Sequence, residues 1–189
     1  MKQTKKYGLI FFLPAFFVFC SDNRKSADYY FENKQTITEM RQLYEELYAH
    51  QPFSAGFSDK SFNYFVLEIN TDTVRYIYNT ENSWQQLYSA VVRFNYDTAK
   101  LKNLGEKMHA VKCLWLSKSY FYVDGERENV TFLSFRSVAS NSKFVENKYF
   151  MLVFLPRPIA TTFTIGRNRT GELVKIDSLV YFMIGSGFR

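Results

Sequence analysis

The sequence predicts an α+β fold: a mainly antiparallel sheet of six to eight strands with two or three helices packed on one face. Three observations point there. Apolar residues recur at helical spacing only between residues 36 and 111. From there to the C-terminus the pattern is β-rich and broken by hairpin-type turns. Aromatic residues make up 19% of the 189-residue chain, with 20 Phe and 14 Tyr, and these are residue types that pleated strands favour.

The first helix is expected at 36–50. Thr36 and Glu39 have the spacing of a capping box, in which each side chain satisfies an orphan backbone N–H of the first turn. Ile37, Met40, Leu43, Tyr44, Leu47 and Tyr48 form one apolar stripe, and Pro52 marks the end. Phe62–Ile69 and Thr73–Tyr78 then flank Asn70-Thr71-Asp72 and predict a hairpin. Ser83 and Gln86 offer a second capping box for a helix to about residue 92, with Trp84, Leu87, Tyr88 and Val91 at helical spacing. Asp97 is the expected cap of a third helix, with Leu101, Leu104, Met108 and Val111 on one face. Gly105 weakens that helix by about 1 kcal/mol relative to Ala. A strand follows at Val111–Leu116.

Tyr120–Val123 leads into Asp124-Gly125, a hairpin turn pair, with Val130–Arg136 as the return strand. Lys148–Leu155 is a strand closed by Pro156 and Pro158. Thr161–Arg167 and Glu172–Ile184 predict a final hairpin around Asn168–Gly171. The chain shows no internal repeat.

The N-terminus reads differently. Lys2, Lys5 and Lys6 precede Tyr7–Phe19, an uncharged and mostly apolar run containing Pro14, and Cys20 opens the polar stretch Ser21-Asp22-Asn23-Arg24-Lys25. As a helix the run is about 20 Å long, too short for a hydrocarbon core of about 30 Å, so it suits an export signal. A cysteine at the switch resembles the lipid-modified cysteine of bacterial lipoproteins, although Phe17 and Phe19 stand where that family usually has Leu and a small residue. The resemblance covers residues 1–23 only. It implies lipidation at Cys20, membrane anchoring through the acylated cysteine, and a place on the periplasmic or outer surface of a bacterium. The expected organisation is a signal at 1–19, a tether at 20–34 and one globular domain at 35–189.

Charge and cysteine content fit that reading. Of the formal +6, half leaves with Lys2, Lys5 and Lys6. The remaining basic residues are scattered, so no nucleic-acid partner is expected. Arg157, Arg167 and Arg169 form the tightest basic group and read as a solvated turn. With Cys20 acylated, Cys113 has no disulfide partner and is expected as a buried thiol within an apolar run.

Motifs of catalysis are missing. His50 and His109 are the only histidines; both read as groups at helix C-termini, where an imidazolium favours the dipole. They do not suggest zinc, which takes three or four ligands. His109 and Cys113, four apart, would share a face only if the helix continued through Cys113. Asp124, Glu126 and Glu128 recur at every second residue, with Asn129 beside them, but lack the order of a calcium loop. Gly166–Gly171 has phosphate-loop spacing, yet Glu172-Leu173 replaces the required Lys and Ser/Thr. Gly185-Ser186-Gly187 lacks the spacing of a nucleophile elbow. Asn129-Val130-Thr131 and Asn168-Arg169-Thr170 match the glycosylation triplet, which is irrelevant in a bacterium. No cofactor or metal is called for.

The expectation is therefore a lipid-anchored, non-enzymatic envelope protein that binds a protein or glycan partner through exposed Tyr, Phe and Arg on its sheet. The alternative is a secreted or periplasmic enzyme acting on envelope material with fold-assembled carboxylates, for which Glu68, Asp72, Glu126 and Asp177 are the candidates.

Overall fold

Among the described residues, a short helical segment at 27–32 is followed by α1 (Lys34–His50), β1 (Phe53–Phe57), β2 (Phe65–Asn70), β3 (Arg75–Asn79), α2 (Trp84–Arg93), α3 (Thr98–Ala110), β4 (Cys113–Val123), β5 (Glu126–Arg136), β6 (Tyr149–Phe154), β7 (Val174–Lys175) and β8 (Val180–Gly185). The computed structural model describes residues 27–59, 61–80, 84–123, 126–136, 149–158 and 173–185. The strands form one sheet in the order β3-β2-β1-β4-β5-β6-β8-β7, and every neighbouring pair is antiparallel. α2 and α3 form the crossover from the edge strand β3 to β4, which pairs with β1. The expected α+β architecture is present, with the strand number at the top of the expected range.

Side chains alternate across a strand, and here the two sets bury different cores. Phe53, Ala55, Leu67, Ile69, Leu116, Leu133 and Leu152 face the helices and pack with Ile37, Met40, Tyr44, Leu104 and Met108. On the opposite face, Val130, Phe132, Met151, Val153, Leu155, Tyr181 and Met183 form a second buried cluster. The chain thus needs apolar residues at consecutive positions of β5, β6 and β8. That double burial accounts for the near-continuous apolar runs there.

α1 buries Ile37, Met40, Tyr44 and Leu47, as its stripe predicts. It starts at Lys34, not at the Thr36 box: the cap position is Asn33, without a side-chain cap bond. Glu39 turns instead to Lys107 of α3 (2.6 Å) and to Gln35 (3.0 Å). The cap of α3 is as predicted, with Asp97 accepting from the Lys100 amide at 3.0 Å. Ser83, the expected cap of α2, lies outside the described residues.

Four further differences have physical reasons. β1 was not visible in sequence, because Ser54-Ala55-Gly56 lacks branched side chains. Residues 113–116 and 120–123 belong to one strand, β4, with a bulge between Cys113 and Trp115, while Val111 and Lys112 form the turn that ends α3. The final hairpin in the described residues is β7–β8, closed by Ile176–Leu179; Thr161–Arg167 and Asn168–Gly171 lie outside the description. Residues 27–34 of the expected tether are part of the domain. Residues 27–32 are helical, Tyr30 is only 2% exposed, and Tyr29 hydrogen-bonds to the Val111 carbonyl and packs edge-on against Phe135.

Candidate functional site

Two clefts of opposite chemistry flank the helices. The first is apolar, about 540 Å³, between α2, α3 and the β1–β2 loop. Its walls are Phe57, Phe62, Phe65, Leu87, Tyr88, Val91 and Leu101, with Gly105 in α3. Asn63, Thr98, Lys102, Glu106 and His109 contribute the polar groups.

Local sequence explains how the loop wall is held. Asp59 Oδ1 accepts from the amides of Asn63 and Tyr64, both at 2.8 Å, and Oδ2 accepts from Ser61 at 3.1 Å. This folds the loop back so that the Ser58 amide reaches the Tyr64 carbonyl at 3.0 Å. Phe62 sits at φ 60°, a left-handed conformation that costs an aromatic residue energy. The ring is held from three sides: edge-on by Phe57 at 5.1 Å, edge-on by His109 at 6.1 Å, and under the Lys112 ammonium at 5.2 Å.

Helix α2 carries the apolar surface outward from the cleft wall. Leu87, Ala90 and Val91 are buried, yet Tyr88 (62%) and Val92 (59%) are well exposed. They are one turn apart, so they form a short apolar ridge. Arg93 closes the other side, its guanidinium over the Tyr76 ring at 5.3 Å.

The second cleft, about 390 Å³, is polar and lies where α1 crosses β4–β6. Arg41 and Glu45 come from α1, Lys118 from β4, Arg127, Asn129 and Thr131 from β5, and Phe154 from β6. The registers Lys118↔Thr131 and Thr131↔Phe154 put these strand residues side by side on the helix face. Thr131 donates to Glu45 Oε1 at 3.3 Å. Glu128 also lines this cleft, and Arg157 Nε binds it at 2.5 Å. Two carboxylates thus line this cleft, Glu45 bonded to Thr131 and Glu128 bound by Arg157.

The sequence candidates are dispersed. Glu68 is buried on β2 and pairs with Arg75 at 3.7 Å. Asp72 lies in the β2–β3 turn. Asp177, in the β7–β8 turn at the far end of the sheet, accepts from Lys34 at 2.7 Å and Tyr30 at 3.1 Å. Those bonds, with the Ser178 amide, hold its carboxyl below the usual range. The same carboxylate and burial push the Tyr30 hydroxyl up to about 12, burial contributing most. The backbone of Glu126 starts β5, paired with Val123.

His50 ends α1 as predicted and meets Tyr96 edge-on. His109, in the last turn of α3, is a wall of the apolar cleft. Cys113 lies in β4 and not on the helix, so it does not share a helical face with His109. It is fully buried, and burial raises its thiol far above the ordinary value. No group of three or more metal-ligating side chains occurs among the described residues. Cys20, Asp124 and the Gly166–Gly171 segment lie outside them.

The exposed aromatic patch expected on the sheet is not found among the described residues. One face is under the helices, and the β5–β8 part of the other is buried. The exposed aromatics Phe31, Tyr64, Tyr88 and Tyr120 are set apart on the helical segment before α1, the β1–β2 loop, α2 and β4. Neither cleft was legible in sequence, since each joins residues from distant elements. The chain matches no protein-family model, no curated protein and no solved structure. Among the described residues no helix is long and apolar enough to cross a membrane.

Proposed function

We propose that this protein is a non-enzymatic binding protein of the bacterial cell envelope. Lipid chains on Cys20 hold it on a membrane, and the α2–α3 cleft grips an apolar segment of a protein partner. The cleft is the observation that carries the reading. Its volume lies within the range of ligand sites, roughly 300–1,000 Å³, and its walls are mostly aromatic and aliphatic. The exposed Tyr88–Val92 ridge extends that apolar surface outward. Of the two partner classes, a protein fits this cleft better than a glycan, because its aromatic and aliphatic walls suit an apolar side chain.

A photoreactive residue at Val92 tests the docking surface in native envelopes. One discrete protein adduct should form, and Tyr88→Glu should abolish it. An adduct indifferent to Tyr88→Glu, or none at all, would overturn the reading. The anchor is tested separately by mass spectrometry of the mature N-terminus: an acylated Cys20 supports it, and a mature chain starting beyond Cys20 excludes it.

A further inference from the structure

We propose that the polar cleft between α1 and β4–β6 binds a small hydroxylated anion: a carboxylate or phosphate monoester that also carries hydroxyl groups. This site is independent of the α2–α3 cleft.

The charge balance argues for an anion. The cleft gathers Arg41, Lys118 and Arg127 against Glu45 and Glu128, and Glu128 is already bound by Arg157. Lys118 and Arg127 have no carboxylate within ion-pair distance among the described residues; each rests instead on an aromatic ring. The Lys118 ammonium lies 5.2 Å from the Tyr48 centroid, and the Arg127 guanidinium 4.0 Å from that of Tyr120. Arg41 lies over Phe154 at 5.1 Å. Its Nε is 3.5 Å from Glu45 Oε1, yet that buried N–H makes no hydrogen bond. Cations gathered in a concave site repel one another unless an anion joins them, and a buried donor without an acceptor calls for a partner. A ligand oxyanion would answer both. The rings beneath the three cations fix them in place, which lowers the ordering cost of binding.

The hydroxyl requirement follows from Glu45. Its carboxylate repels a bare oxyanion but accepts from a hydroxyl. Asn129 adds an amide able to donate and to accept. A cleft of about 390 Å³ suits a molecule the size of a sugar acid or a sugar phosphate.

Calorimetric titration of the purified full-length protein in neutral detergent tests this. The probes are glucuronate, glucose 6-phosphate, glucose and inorganic phosphate. One or both hydroxylated anions should bind saturably and lose affinity as salt is raised; which one does identifies the anionic group. Glucose and inorganic phosphate should bind at least about tenfold more weakly. Lys118→Met keeps the aliphatic stem on Tyr48 and should weaken binding about tenfold or more. Arg127→Gln, at an exposed position, should do the same without a change in thermal unfolding. Lys102→Met, in the apolar cleft, should leave binding unchanged. Inorganic phosphate binding as tightly as glucose 6-phosphate would overturn the hydroxyl requirement. Absence of binding by either hydroxylated anion, or binding untouched by both cleft variants, would overturn the site.

Discussion

Gly56 and Trp115 stand opposite each other across the β1–β4 pair, and the Trp115 ring fills the space that a side chain at position 56 would need. A Cβ on Gly56 would lie 2.9 Å from Trp115 Cζ3 and closer still to Cε3 and to the Leu114 carbonyl. Backbone cannot swing aside as a flexible side-chain tip can. Gly56→Ala should therefore cost about 1–3 kcal/mol, the usual range for overpacking. Denaturant unfolding followed by tryptophan fluorescence checks it; an unchanged midpoint would contradict the packing.

Gly105 is the opposite case. A Cβ there would sit 3.6 Å from Phe65 Cε2, an ordinary contact, and the residue lies inside α3. Gly105→Ala should stabilise the protein by about 0.5–1 kcal/mol through helix propensity. A rise in the urea midpoint with an unchanged slope is the expected signature.

Asp59 should matter more than its place on the surface suggests. Asp59→Ala removes the acceptor for three loop amides while Phe62 still has to hold its left-handed backbone. The expected loss is about 1–2 kcal/mol, of the size of a lost cap. Amide exchange should quicken at Asn63 and Tyr64 first; uniform quickening across the sheet would show that the loop is not held locally.

Asp177 gives the protein an acid-sensitive contact. Its folded pKa is depressed, chiefly by the Lys34 hydrogen bond. A depressed carboxylate contributes stability above its unfolded pKa and loses it as pH falls through the folded value. The contribution should thus be intact at neutral pH and fade below about pH 4. Asp177→Asn should be less stable than the parent at pH 7, and the gap should close towards pH 2. A constant gap would mean that charge is not the cause.

Cys113 should be unreactive while the protein is folded. Its thiolate is strongly disfavoured by burial, and its Sγ lies 3.4 Å from the Trp115 carbonyl. In a Cys20→Ser background, maleimide labelling should follow global unfolding. Rapid labelling in native buffer would refute the burial.

What could be read from sequence was local. The Asp97 cap and the Leu101–Leu104–Met108 stripe define α3 within one short segment, and the structure agrees with both. β1 escaped because Gly56 is selected by Trp115, a residue far away in sequence. Tyr29 and Tyr30 looked like part of a polar tether because their partners, Val111 and Asp177, are distant as well. The polar cleft escaped for the same reason: Arg41, Lys118 and Arg127 are individually ordinary, and only the fold brings α1, β4 and β5 together to line it.

The pairing of β1 with β4 has a consequence for how the molecule comes apart. β3-β2-β1 and β4-β5-β6-β8-β7 are two meandering blocks, and the matched positions that join them are Ala55↔Leu116 and Gly56↔Trp115. The ladder between the blocks is thus much shorter than the one inside β4–β5, which runs from Cys113↔Phe135 to Val123↔Glu126. A short ladder is the natural fault line of a cooperative unit. On partial denaturation the N-terminal block should detach as a piece while β4–β8 keeps its pairing, so the sheet behaves as two foldons riveted at one glycine.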